Sequence, residues 1–203
     1  SLTTLLKTIT ISTAIGSPIR INKNMKYFIT SSIDLPVISD TNTLTNHFDY
    51  KVYTQLFDQN VSSASFFFKA AKSITNEDIK LTERLFVPSK NLRGFERGKI
   101  GPMDGNDFIG GNFVSAINLS TSLPQVLENV QNMDVVLFFD AANVWGVDYD
   151  SSLDTNDTIR SSIGVGLDWF TLLGPLNFSL AIPLTKDTTD KTESFRFNLG
   201  TTF

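Results

Sequence analysis

Ile159-Arg160-Ser161-Ser162-Ile163-Gly164-Val165-Gly166-Leu167-Asp168-Trp169 reads as a β-strand. Ile163, Val165, Leu167 and Trp169 alternate with Ser162, Gly164, Gly166 and Asp168. Successive side chains of a strand point to opposite faces, so a period of two separates an apolar face from a polar one. A helix would instead need apolar residues three and four apart. The polar face here is built of Ser, Gly and one Asp. A sheet facing bulk water would carry more Lys and Glu. Small polar residues suit a face crowded by something packed against it.

The same pattern recurs on both sides. Toward the C-terminus, Leu173-Gly174-Pro175 makes a tight connection. Leu176, Phe178, Leu180 and Ile182 then alternate with Asn177, Ser179 and Ala181. Residues 186–191 are polar. The last stretch sets Phe195, Phe197, Leu199, Thr201 and Phe203 against Ser194, Arg196, Asn198, Gly200 and Thr202. Toward the N-terminus, 146–157 reads as an acidic loop. Strands are expected at 133–145, 113–120, 62–70, 46–56, 25–35 and 3–15. That makes about nine strands of roughly ten residues with almost no helical signal, the signature of a transmembrane antiparallel β-barrel. A soluble sandwich also alternates, but the sparse charge on the polar face favours the membrane barrel.

Composition narrows the chemistry. The 203 residues are 41% hydrophobic and 19% charged, with 17 Phe. Soluble domains usually carry about 25% charged residues. A net charge of −4 offers no basic field for nucleic acid. The absence of cysteine excludes disulfides, thiolate catalysis and Cys-bound zinc. One histidine, His47, is too few for a His-based metal site. No run approaches the ~20 apolar residues of a transmembrane helix. Gly110-Gly111 and Gly164-x-Gly166 fall on strands, so they are not phosphate loops. Asp148, Asp150, Asp154 and Asp157 lack EF-hand spacing and read as a solvated acidic loop. No enzyme, metal or cofactor is expected. Residues 1–20 lack the form of a signal peptide. The first residue is not Met, so the chain is expected to be a mature segment or a fragment.

One segment fits no strand. Residues from about 72 to 109 have neither periodicity, and loops beyond about 12–15 residues are uncommon unless functional or disordered. This one carries Ile79, Leu81, Leu85, Phe86, Val87, Leu92, Phe95 and Ile100, and so should fold back onto the barrel. Arg93 puts a permanent cation with a planar fork of donors near its centre. Strand parity places this loop, 146–157 and 186–191 on the extracellular side if the chain ends on the periplasmic side. An odd strand count does not close a single-chain barrel of even strand number. The chain is therefore expected to be the C-terminal portion of a larger barrel.

Several blocks carry a family resemblance. They are Leu92-Arg93-Gly94-Phe95 with Ile100-Gly101-Pro102, then Gly110-Gly111-Asn112, then Phe138-Phe139-Asp140-Ala141-Ala142-Asn143-Val144-Trp145. Gly164 to Trp169, Leu173-Gly174-Pro175-Leu176 and Phe195 to Phe203 follow in order. Spanning residues 85 to 203, they resemble the C-terminal barrel half of the BamA-type outer-membrane protein assembly factors. Residues 1 to 84 fit only as barrel strands. Two-partner secretion transporters share the Arg-Gly-Phe/Tyr loop, while the Asp140 to Trp145 and Leu173 to Leu176 blocks favour the assembly-factor branch.

The resemblance implies a sixteen-strand barrel in the outer membrane of a Gram-negative bacterium. Residues 1–203 would form the C-terminal portion of that domain, with the 72–109 loop extracellular and folded into the lumen. It implies periplasmic POTRA domains upstream, lipoprotein partners of an assembly complex, unfolded outer-membrane proteins as substrates, and lipid around the barrel. Arg93 would meet Asp140, an inward-facing strand aspartate. Where the family often has a second acidic acceptor on the preceding strand, Ser120 is expected here. Phe195, Phe197, Leu199, Gly200 and Phe203 would form the terminal-strand signal and one side of a lateral seam. Substrate strands would add there without ATP, by β-augmentation. A two-partner-secretion pore and a passive structural barrel remain as alternatives.

Overall fold

Nine strands pair in chain order into one antiparallel sheet. The computed structural model describes residues 9–15, 25–35, 43–75, 77–124, 132–154, 158–171 and 174–199. The strands are β1 (Ile9–Ile15), β2 (Met25–Leu35), β3 (Thr43–Thr54), β4 (Ser62–Ser73), β7 (Phe113–Ser122), β8 (Met133–Trp145), β9 (Arg160–Thr171), β10 (Gly174–Thr185) and β11 (Phe195–Leu199). A separate hairpin, β5 (Met103–Asp104) with β6 (Asp107–Phe108), lies in the long connection between β4 and β7. Among the described residues, no pairing joins β11 to β1.

The expected strands are all present, with shifted ends. The strand expected at 46–56 runs Thr43–Thr54 because a turn begins earlier. Leu56 N donates to Asn60 Oδ1 (3.2 Å), and Asn60 Nδ2 donates to Thr121 Oγ1 (2.9 Å) across the sheet. Those bonds take residues 55–61 out of the ladder. Of the first expected strand, 3–8 lies outside the described residues, as do Gly200 and Phe203 of the last.

The ladder sets Asn118 beside Asp140 and Asp140 beside Ser162, so β7, β8 and β9 carry one polar row on one face. On the same face Val114, Ala116, Ala142 and Val144 are buried. The opposite face presents Ile117, Leu137, Ile163, Leu180 and Ile182, the last two 62% and 69% exposed. In water so large an apolar patch would signal an interaction surface. Here it is the lipid-facing band of a membrane sheet.

The connection from 74 to 112 builds the core. Ile79, Leu85, Val87, Leu92, Phe95 and Ile100 pack with Phe67, Ala71, Val114, Ala116, Ala142 and Val144 of β4, β7 and β8. Burying one such large side chain contributes about 1.5–3 kcal/mol. This offsets the entropy of ordering so long a segment. Leu81 and Phe86, expected to join them, stay exposed. Two 3₁₀ turns, Leu81–Glu83 and Ser89–Asn91, and a bridge between Leu85 and Gly111 shape the path.

Ion pairs hold the ends of the loops. Asp190, in the β10–β11 connection, receives Arg160 Nε (2.9 Å) and Nη2 (3.1 Å), and both side chains are fully buried. Arg160 Nη1 also donates to Asn143 Oδ1 (2.7 Å). The acidic connection after β8 is not simply solvated, contrary to expectation. Asp148 accepts from Arg84, and from Ile79 N at 2.8 Å. Desolvation pushes the Asp148 carboxyl upward, but the Ile79 N–H and the Arg84 guanidinium outweigh it and hold the carboxyl below its ordinary value. Asp154 Oδ1 caps Gly146 N (3.0 Å), and Asp150 accepts from Ser152. Asp157 lies outside the described residues. Among the described residues, no group of three or more acidic or histidine side chains is placed to hold a metal.

Candidate functional site

The Leu92-Arg93-Gly94-Phe95 turn is pressed onto the polar row by its own geometry. Leu92 and Phe95 are 3% and 1% exposed and pin the turn from both sides. Gly94 between them has φ +89°, and a Cβ there would stand 3.1 Å from Ala181 Cβ and 3.2 Å from Ser162 Cβ. Only glycine combines that backbone with that approach. Ile100 and Pro102 are buried beyond it, and at Gly101 (φ +98°) a Cβ would fall 2.3 Å from Val144 Cγ1.

Arg93 reaches Asp140 as a fork. Its Nε donates to Oδ2 at 2.7 Å, its Nη2 to Oδ1 at 2.8 Å, and its backbone N to Oδ2 at 3.0 Å. Asn118 Nδ2 donates to Oδ1 at 2.8 Å. Asp140 is 0% exposed, and these four donors occupy the acceptor sites a carboxylate offers. Buried charge without such partners would be costly. The guanidinium carbon sits 3.4 Å from the centroid of the Phe138 ring, a cation–π contact. Gly164 beside it makes room, since a Cβ there would lie 2.5 Å from Phe138 Cζ. From β9, Ser162 Oγ donates to the Arg93 carbonyl at 2.5 Å.

The preceding-strand member of this network is Asn118, not Ser120. Register pairs Asn118 with Asp140 and Ser120 with Phe138, and Ser120 Oγ is instead 2.7 Å from Ser63 Oγ. Asn118 Nδ2 also donates to Asn91 O (2.9 Å), which ties the 3₁₀ turn before the arginine into the same network. Alternation could not separate the two residues, because 118 and 120 share a face. Ser162, Phe138 and Arg196 were also missed. Their partners lie far away in sequence, and no local pattern marks them.

The terminal strand shows its outward face in Phe195, Phe197 and Leu199, which are 54%, 48% and 66% exposed. β11 pairs with β10 over five positions, Leu176↔Leu199 to Leu180↔Phe195. Among the described residues, its other edge has no strand partner. Inward-facing Arg196 is 9% exposed; its Nη1 donates to Ser89 O (2.6 Å) and its Nη2 to Phe95 O. The residues before β11 run beside the turn. Glu193 N donates to Gly94 O (3.1 Å), Glu96 N to Lys191 O (3.0 Å) and Lys191 N to Lys99 O (3.0 Å), and Phe95 bridges Thr192.

Known proteins are similar to this chain. The Omp85 superfamily domain matches residues 19–203. The outer membrane protein assembly factor BamA of Neisseria meningitidis serogroup B is 30% identical over 141 residues, covering 56% of this chain and 18% of that protein. BamA of Neorickettsia risticii is 25% identical over 169 residues, covering 81% of this chain and 22% of that protein. The chain thus spans about a fifth of the length of these curated relatives. The crystal structure of BamA from Haemophilus ducreyi lacking POTRA domains 1-3 superposes with a TM-score of 0.77 at 23% identity, over 93% of this chain and 41% of that one. At that identity the likeness speaks for the fold.

Proposed function

The chain belongs to the Omp85 superfamily, and on that premise we propose that it assembles and inserts β-barrel proteins into the outer membrane by strand addition at a lateral seam, without ATP. It is a BamA-type transmembrane β-barrel segment whose place is the cell outer membrane. The observation that carries the reading is the match of the Omp85 superfamily domain over residues 19–203, with β11 an edge strand of the described sheet. An open edge in lipid leaves unsatisfied N–H and C=O groups, so it must be brief or met by another strand. A substrate strand supplies that partner. The substrates are unfolded outer-membrane proteins. The chain works beside upstream POTRA domains and assembly lipoproteins, with lipid along its outward face. The 72–109 loop lies in the lumen, entering from the extracellular side, and Arg93 on Asp140 fixes it there.

A secretion pore would need an open channel. The loop core packed against β4, β7 and β8 disfavours that reading.

The test is a disulfide. Cysteine replacing Asn198, paired with one on the first strand of the complete barrel, locks the seam, and no native cysteine interferes. The locked barrel stays folded and stops inserting substrate, and reduction restores insertion. Insertion at the normal rate by the oxidised protein overturns the seam reading.

A further inference from the structure

We infer that Arg196 is a positioning residue that clasps the terminal strand to the arginine-bearing turn, so that the seat of Arg93 on Asp140 and the place of β11 form one coupled unit. This rests on the seam reading above and adds what controls the seam.

Residues 93–96 stand between two parts of the sheet. On one side Arg93 is bound to Asp140 of β8 and receives Ser162 of β9. On the other, Gly94, Phe95 and Glu96 bond to residues 191–196. Arg196 donates to the carbonyls of Ser89 and Phe95, one on each side of Arg93 in sequence. Its carboxylate contact, Glu193 at 3.2 Å, lies on its own strand lead and is the more exposed member of that pair. Those acceptors matter. A carboxylate holds a guanidinium in many backbone arrangements. Two backbone carbonyls converge on one guanidinium only while the turn keeps its shape, including the left-handed Gly94. Arg196 therefore responds to loop conformation rather than to charge alone. The clasp ends at Arg196; Phe197 to Leu199 lie beyond it and are held by β10. Coupling of this kind is reciprocal: seating the turn stabilises β11, and a seated β11 stabilises the turn.

The experiment is a mutant cycle read by hydrogen exchange in the full-length, membrane-inserted protein. The variants are Asp140→Asn, Arg196→Met and the pair. Asp140→Asn, which touches no atom of β11, raises exchange at the amides of 195 and 196, on the order of tenfold for a typical coupling. In the Arg196→Met background the same change adds less there, since only the backbone bonds of 191–193 still tie the strand to the turn. Arg196→Met also raises exchange at 92–96, and Arg196→Lys, with its single donor group, restores protection in part. If Arg196→Met does not assemble, Arg196→Gln takes its place in the cycle. Equal effects of Asp140→Asn in both backgrounds, or unchanged protection of 92–96 in the Arg196 variants, overturn the clasp. The two readings fail separately. A locked seam that still inserts substrate leaves this exchange coupling standing, and additive exchange effects leave the lock result standing.

Discussion

Replacing Arg93 by Met removes the fork from Asp140 while keeping an apolar stem over Phe138. Asp140 then loses two of its four donors, the Nε and Nη2 bonds at 2.7 and 2.8 Å. It keeps Arg93 N and Asn118 Nδ2. Breaking a buried ion pair from one side costs about 3–5 kcal/mol. Asp140 is 0% exposed, but the Arg93 side chain is 18% exposed, so water can replace part of what is lost. The lower end, about 3 kcal/mol, is therefore the expected cost. At about 1.4 kcal/mol per factor of ten, the local opening equilibrium of the turn shifts roughly a hundredfold. Limited proteolysis of residues 72–109 under conditions where opening precedes cleavage reads that shift directly. The double variant Arg93→Met/Asp140→Leu should recover part of the protection, because it leaves no buried charge behind, although Arg93 N and Asn118 Nδ2 lose their acceptor. Unchanged cleavage in Arg93→Met, or a double variant as sensitive as the sum of the two singles, would refute the claim that this pair seats the loop.

Two further outcomes follow from named contacts. Gly101→Ala puts a Cβ 2.3 Å from Val144 Cγ1 at φ +98°, so it should weaken loop seating by about 1–3 kcal/mol; Val144→Ala in that background relieves the contact but not the backbone strain, giving partial recovery in the same proteolysis assay. Asp148 has its carboxyl held below its ordinary value of 3.8, so its pair with Arg84 contributes stability above that value and loses it as pH falls through the lowered one. The Ile79 amide should keep its protection factor until pH falls below the ordinary carboxylate value and lose it there, in step with protonation, while Asp148→Ala, which has no acceptor, lacks that protection at every pH. Loss of protection well above the carboxylate range would contradict the assignment.

The strands were legible because each has one apolar and one polar face, and a period of two survives without knowing its neighbours. The loop's return to the sheet was legible in the same terms. Leu92, Phe95 and Ile100 are too apolar to be left in water, and burial was the only way to place them. Register was not legible. Ser120 and Asn118 share a face, and only the pairing of β7 with β8 sets Asn118 beside Asp140. The same limit hid Arg196. Alternation marks it as inward-facing, but its acceptors are carbonyls about a hundred residues earlier, and a carbonyl leaves no signature in sequence. Asp148 looked like one of several solvated acids because its partner, Arg84, lies across the long loop.

The central claim is that a substrate strand adds to the edge of β11 that faces away from β10. It is tested most directly by disulfide scanning in the full-length protein, with cysteine replacing Asn198 and single cysteines stepped along the last strand of an arrested substrate. Strand addition presents alternate substrate residues to one face. The predicted result is cross-linking that rises and falls with a period of two along the substrate and disappears when the seam is locked beforehand through a different pair of cysteines that leaves position 198 free. Cross-linking with no periodicity, or undiminished in the locked barrel, would contradict it.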